Sequence, residues 1–155
     1  MTDHLKAIEQ RAKKELREYG LTKLGWTFRW DNATRRFGSC WYSKRVITLS
    51  KPLSALNSFA EAEDTILHEI AHALVGGGVG HGPKWVKKAQ SIGCNGNRCY
   101  DRTVVVPPPK FVGTCPVCFK QSVANRRRVC ACYACCRLHN GGKWTPKFSL
   151  RWTRR

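Results

Sequence analysis

The first ninety-odd residues switch between two hydrophobic periods. Leu5, Ile8, Ala12, Leu16 and Tyr19 recur at helical spacing with Gly20 behind them, which predicts a helix over residues 3–19. Leu24, Trp26, Phe28 and Trp30 then alternate with Gly25, Thr27 and Arg29, the pattern of a half-buried strand with its tryptophans in a sheet core. Asp31-Asn32 opens a turn, and residues 36–42 and 45–50 read as two more short strands linked at Ser43-Lys44. The helical period returns with Ile66, Leu67, Ile70, Ala71 and Leu74. Ser58-Phe59-Ala60-Glu61 forms a capping box ahead of it, and Glu61, Glu63 and Asp64 sit near the positive end of the helix dipole. The predicted helix runs from about Phe59 to Val75 and stops at Gly76-Gly77-Gly78. Pro83 suits the first turn of a last helix, with Trp85, Ala89 and Ile92 as its apolar face and Gly93 as its end. The expected class is α+β: a helix, a three-stranded antiparallel sheet, a second helix and a further helix.

Pro107-Pro108-Pro109 reads as a stiff connector, so the expected division is residues 1–106 and 107–155. The second part is rich in cysteine. Cys115-Pro116-Val117-Cys118 and Cys132-Tyr133-Ala134-Cys135 are two knuckles, each offering two thiolates to one tetrahedral zinc, and together they predict a closed structural site in a small ribbon. Cys130 and Cys136 flank the second knuckle and compete as ligands. Cys94 and Cys99 enclose four residues and lack evident partner ligands, so buried or idle thiols are expected there, as at Cys40.

Charge sharpens the division. The net charge is +18, and residues 102–155 carry 12 basic side chains and no acidic one. An acid-free basic tail points to a polyanion, first of all nucleic acid, with single-stranded and duplex DNA both open. Arg126, Arg127 and Arg128, then Lys143, Lys147 and Arg151, are the candidate phosphate contacts, with Arg154 and Arg155 behind them. Trp144, Phe148 and Trp152 are interleaved among them, and two readings stand: stacking on unpaired bases, or one strand face, with Leu150, that covers the ribbon. No run of about 18 apolar residues is present and the amino terminus has no apolar signal core. An intracellular, cytoplasmic monomer with no membrane span is expected, and there nine cysteines suggest metal rather than disulfides.

The densest chemistry lies at His68-Glu69-Ile70-Ala71-His72. Histidines at i and i+4 share one helix face, so two imidazoles reach one zinc, and the glutamate between them can take a proton from a water that the metal activates. A catalytic zinc needs a third protein ligand. His81, between Gly80 and Gly82, is the best candidate because the glycine loop lets the chain return to the helix. Asp101 is the one acid after Glu69 and competes poorly.

HEIAHALVGGGVGHGPKW resembles the SprT/Spartan family of zinc metalloproteases, which show HExxH, a later His-Gly and then an aromatic residue. LGWTFRWDNATRRFGSCWYSKRVITLSKPL is similar to that family's amino-terminal sheet, and CPVC with CYACCRL to its appended zinc ribbon. The resemblance implies a minimal zincin-like protease core with a ribbon. It makes His68, His72 and His81 ligands of a catalytic zinc, Glu69 the general base, and Cys115, Cys118, Cys132 and Cys135 ligands of a structural zinc. It further implies cleavage of proteins bound or crosslinked to DNA. The rival expectation is a non-enzymatic zinc-ribbon regulator or adaptor that binds nucleic acid, and a zinc hydrolase acting on something other than protein is a third.

Overall fold

The computed structural model describes residues 2–99 and 103–155, and these form two compact units, Met1–Pro107 and Pro108–Arg155. Asp101 and Arg102 lie outside the described residues.

In the first unit α1 spans Asp3–Glu18, capped by the Thr2 side chain, and buries Leu5, Ile8, Ala12 and Leu16. Its one buried acid, Glu15, is held by Arg11 at 2.7 Å, and Arg11 also reaches Glu63 at 2.9 Å on the metal-motif helix. A buried carboxylate without such a partner would be costly. That helix, α3, spans Phe59–Val75 and has the predicted capping box in full: Glu61 N–H donates to Ser58 Oγ, and Ser58 N–H donates to the Glu61 carboxylate. It ends at Gly76, whose N–H donates to the His72 carbonyl. α4 follows as Pro83–Ser91.

The sheet departs from expectation. Strands β1 (Thr27–Asp31), β2 (Gly38–Trp41) and β3 (Val46–Ser50) stand in the order β1-β3-β2. β2 pairs antiparallel with β3, but β1 pairs parallel with it, Thr27 opposite Val46 and Asp31 opposite Ser50. The three-stranded antiparallel sheet is therefore corrected to a mixed one. The cause is burial: all five residues of Val46–Ser50 are buried, so this strand takes the centre. The connection through residues 32–37 carries the chain past it to the far edge. One short helix, α2 (Lys51–Leu56), was not foreseen; Ser50 Oγ caps it by accepting from Leu53 N–H at 3.1 Å. α1 and α3 pack together over the sheet, with Ile8, Ile47, Leu49, Leu53, Ile66 and Ile70 at the core. Asn57 ties the end of this unit down, exchanging hydrogen bonds with the backbone of Val105 at 2.7 and 2.8 Å.

The second unit is a sheet of β4 (Phe111–Thr114), β5 (Gln121–Ala124) and β6 (Arg151–Arg154) in the order β5-β4-β6, all antiparallel, plus α5 (Tyr133–His139). Its core is sulfur and one ring: Cys115, Cys132, Cys135, Cys136 and Phe148. So small a core needs another source of stability, and a metal shared by the four thiols would provide one. Among the described residues, no helix is long and apolar enough to cross a membrane.

Candidate metal centre

α3 presents His68 and His72 with ring centroids 5.0 Å apart. His81 returns to them through Gly76, Gly78 and Gly80, at φ 86°, 85° and 57°. That left-handed path is open to glycine and costly to other residues. His81 Nε2 then lies 3.0 Å from Nε2 of His72 and 3.0 Å from Nε2 of His68. A tetrahedral zinc with bonds of about 2.0–2.1 Å holds its nitrogens roughly 3.3 Å apart, so the three imidazoles fit one such ion. Three converging ring nitrogens cannot satisfy one another with hydrogen bonds, since each neutral ring has one donor and one acceptor.

Trp85, in the first turn of α4, is fully buried at 0% exposure and floors the site. Its centroid lies 4.6 Å from His68, 5.1 Å from His72 and 4.5 Å from His81. The sequence pattern placed Trp85 on an apolar helix face but did not reveal its contact with all three histidines. Burial, with His81 beside it, brings His68 down to about 4. Burial, with His68 and His81, does the same to His72. Burial and Arg98 lower His81 as well. The rings are thus neutral near pH 7, the form that donates a lone pair to a metal.

Glu69 lies beneath β2. A Cβ on Gly38 would stand 2.8 Å from Glu69 Oε1, 2.9 Å from Glu69 Cγ and 2.7 Å from Thr65 Cγ2. Glycine is required there so that the strand can lie against the carboxylate, and a glycine inside a strand is the signal that marks such an approach. Burial pushes the Glu69 carboxyl up to about 8, with Arg36 pulling it down and Asp31 pushing it further up. Arg36 is itself held by Asp31 at 2.8 Å. Glu69 and the three histidines line a cleft of about 1200 Å³, whose other walls include Cys40 and Tyr42. Burial and the neighbouring Glu69 raise the Cys40 thiol to about 12, so Cys40 stays protonated and is no nucleophile.

In the second unit Cys115, Cys118, Cys132 and Cys135 bring their sulfurs within 4.8 Å of one another. Cys115 and Cys135 are 3.8 Å apart and Cys118 and Cys132 3.6 Å. Tetrahedral zinc with bonds of about 2.3 Å sets its sulfurs roughly 3.8 Å apart. Burial opposes ionisation of Cys115, but the Cys118 and Val117 amides, with the Cys118 and Cys135 thiols, outweigh it and bring Cys115 down to about 7. Cys130 and Cys136 stand outside this group of four.

Arg126, Arg127, Arg128, Lys143, Lys147 and Arg151 are all exposed. The aromatics divide. Phe148 is core, and Trp152 lies on Gly113, where a Cβ would meet its Cε2 at 2.9 Å, and donates from Nε1 to the Arg128 carbonyl at 2.8 Å. Both therefore cover the ribbon, but not as one strand face: Phe148 ends the short turn Pro146–Phe148 and only Trp152 lies on β6, while Trp144 remains 56% exposed.

The sequence model of the SprT-like family matches residues 3–104, about two thirds of the chain. The chain belongs to the SprT-like family. That domain is zinc metalloprotease-like, and the matched residues contain the whole histidine site of this SprT-like chain. The cysteine site lies beyond them, as an appended four-cysteine module consistent with a zinc ribbon. No curated protein matches the chain at a significant level.

Proposed function

We propose that this SprT-like protein is a zinc endopeptidase that cleaves proteins bound or crosslinked to DNA. The observation that carries the peptidase reading is Glu69: an acid buried one residue from a histidine ligand, at the wall of an open cleft, has no use in a purely structural metal site. His68, His72 and His81 would hold a catalytic zinc and leave its fourth position to the cleft. Zinc, when bound, supplies Lewis acidity that polarises a peptide carbonyl and makes a water nucleophilic near neutral pH. Glu69 would take a proton from the attacking water and afterwards hand it to the leaving amine. β2 is an edge strand, and Gly38, Ser39 and Cys40 line the cleft, so an extended peptide can add to it by main-chain hydrogen bonds. Cys115, Cys118, Cys132 and Cys135 would hold a second, structural zinc.

Support for the DNA partner is electrostatic. The ribbon's basic side chains are exposed and no acid in residues 102–155 compensates them. Holding DNA there concentrates substrates that are themselves bound to it. The test is cleavage of a DNA-bound protein with and without DNA, for the parent and for Glu69→Gln. Cleavage that needs DNA and is lost in the variant is expected. DNA binding without any Glu69-dependent cleavage would instead favour the adaptor reading.

A further inference from the structure

The sheet of the first unit has a face that the chemistry above does not use. We infer that this face binds unpaired DNA, with Trp41 stacking on a base and Arg29, Lys44 and Arg45 meeting the phosphates. The inference rests on the reading of DNA as the partner, and gives the first unit a DNA contact of its own in addition to the cations of the ribbon.

Strand alternation defines the face. Phe28, Trp30, Cys40, Ile47 and Leu49 pack into the core with α1 and α3, so their chain neighbours Thr27, Arg29 and Trp41 point the other way. Thr27 and Trp41 both stand in register with Val46, one on each side of β3, and form one row across the sheet. Arg29 lies two residues further along β1 on the same face. Thr27, Arg29 and Trp41 are all exposed. Val46 between them is buried, so part of the indole lies over its cross-strand neighbour, but 44% of Trp41 still meets solvent.

The charge of this face is one-sided. Residues 19–60 carry seven basic side chains and one acid, Asp31. Asp31 is already engaged by Arg36 at 2.8 Å and by the Thr48 hydroxyl at 2.8 Å. Every other acid among the described residues lies on α1 or α3, behind the sheet. Lys44 Nζ stands 5.5 Å from the centroid of the Trp41 ring. Arg45 comes next, exposed, and its guanidinium donates to the Leu24 carbonyl, which holds it beside the short turn Thr22–Leu24 with its exposed Lys23. An open indole with cations around it suits a base and the phosphates that flank it. A duplex keeps its bases stacked on one another, so an unpaired base is the one open to the ring. An acidic peptide would answer the charge and leave the indole idle.

Position gives the contact a use. Gly38, Ser39 and Cys40 of β2 line the cleft, and Trp41 is the next residue. DNA seated on Trp41 would hold a protein attached to it beside the edge strand where a peptide adds.

The experiment uses the full chain with alanine at Arg126, Arg127 and Arg128, so that the ribbon contributes least. The probes are a labelled oligothymidine, the same oligonucleotide carrying 5-iodouracil for photocrosslinking, a duplex of equal length, and polyglutamate. Mass spectrometry of the crosslinked chain should find the nucleotide on Trp41. Trp41→Ala should weaken oligothymidine binding roughly 5- to 150-fold, with much smaller losses on duplex and polyglutamate. Trp41→Phe keeps an aromatic face and should stay within a few-fold of the parent, which separates loss of stacking from loss of the fold. Arg29→Ala with Lys44→Ala should flatten the log–log salt slope on the single strand by roughly 1.4. Undiminished binding by Trp41→Ala, an equal loss on polyglutamate, or crosslinks confined to other residues overturns this surface alone. A parent chain with its ribbon arginines intact that binds no DNA overturns the DNA reading and this inference with it.

Discussion

Glu69→Gln separates two consequences of one buried carboxyl. In the metal-free site burial moves Glu69 from 4.5 to about 8, so ionising it in place costs on the order of 5 kcal/mol. The sign follows. The folded state binds the proton more tightly than the unfolded state, so this contribution to stability is whole below about pH 4.5, declines as pH rises and is gone above about pH 8. Glutamine is neutral at every pH and nearly the same shape. The stability of Glu69→Gln minus that of the parent, both stripped of zinc with chelator, should therefore climb between pH 5 and 8 by up to that amount. Urea titrations at several pH values measure it, and effects of the second unit cancel in the difference. With zinc present the same variant should keep its histidine-site metal yet lose about 10²- to 10⁴-fold in kcat on a DNA-bound substrate, since the amide cannot take a proton. A flat difference curve would show a well-solvated carboxyl and refute the burial argument. Undiminished cleavage would remove Glu69 from the reaction.

Other perturbations test other parts. Gly38→Ala puts a methyl against Glu69 and Thr65, and should cost about 1–3 kcal/mol of stability as overpacking and lower kcat; unchanged turnover and melting would mean that the strand moves aside freely. Serine at Cys115, Cys118, Cys132 or Cys135 should remove one zinc per chain and unfold the second unit, seen by zinc stoichiometry, whereas Cys130→Ser and Cys136→Ser should keep the zinc, with Cys136→Ser the less stable because that thiol is buried. Replacing Arg126, Arg127 and Arg128 with alanine should flatten the log–log salt dependence of DNA binding by roughly two to three units. An unchanged slope would transfer the role to Lys143, Lys147 and Arg151, and cleavage of a short peptide without DNA should be untouched either way.

What the sequence made legible follows from the range of the interactions. α3 is read to its last residue because Ser58, Glu61 and Gly76 act within one turn of its ends. His81 is legible because glycines on both sides announce a chain that turns back. Strand direction is not legible, because it depends on which strand takes the centre, and only packing on the helices decides that Val46–Ser50 does. α2 escaped notice since six residues have no period to show. Gly38 and Trp85 share one difficulty: each acts on a neighbour that folding brings to it, Glu69 and the three imidazoles. The aromatic tail stayed ambiguous for the same reason, until Gly113 supplied the bed for Trp152.

The glycine passage to His81 has a mechanical consequence. Gly78 and Gly80 line the same cleft as the histidines, so the segment that delivers His81 is also a wall of the cleft. Glycines lose more freedom than other residues when they are pinned, and an ion that ties His81 to α3 does the pinning. Occupancy of the centre and the shape of the cleft are then one variable. A chain stripped of its ion should be nicked by an added protease between Val75 and Gly82 and lose its groove for peptide before any other part of the unit opens. With the proposed zinc at the centre, restoring the ion should rebuild both at once, and supply of the metal would then throttle substrate entry as well as bond cleavage.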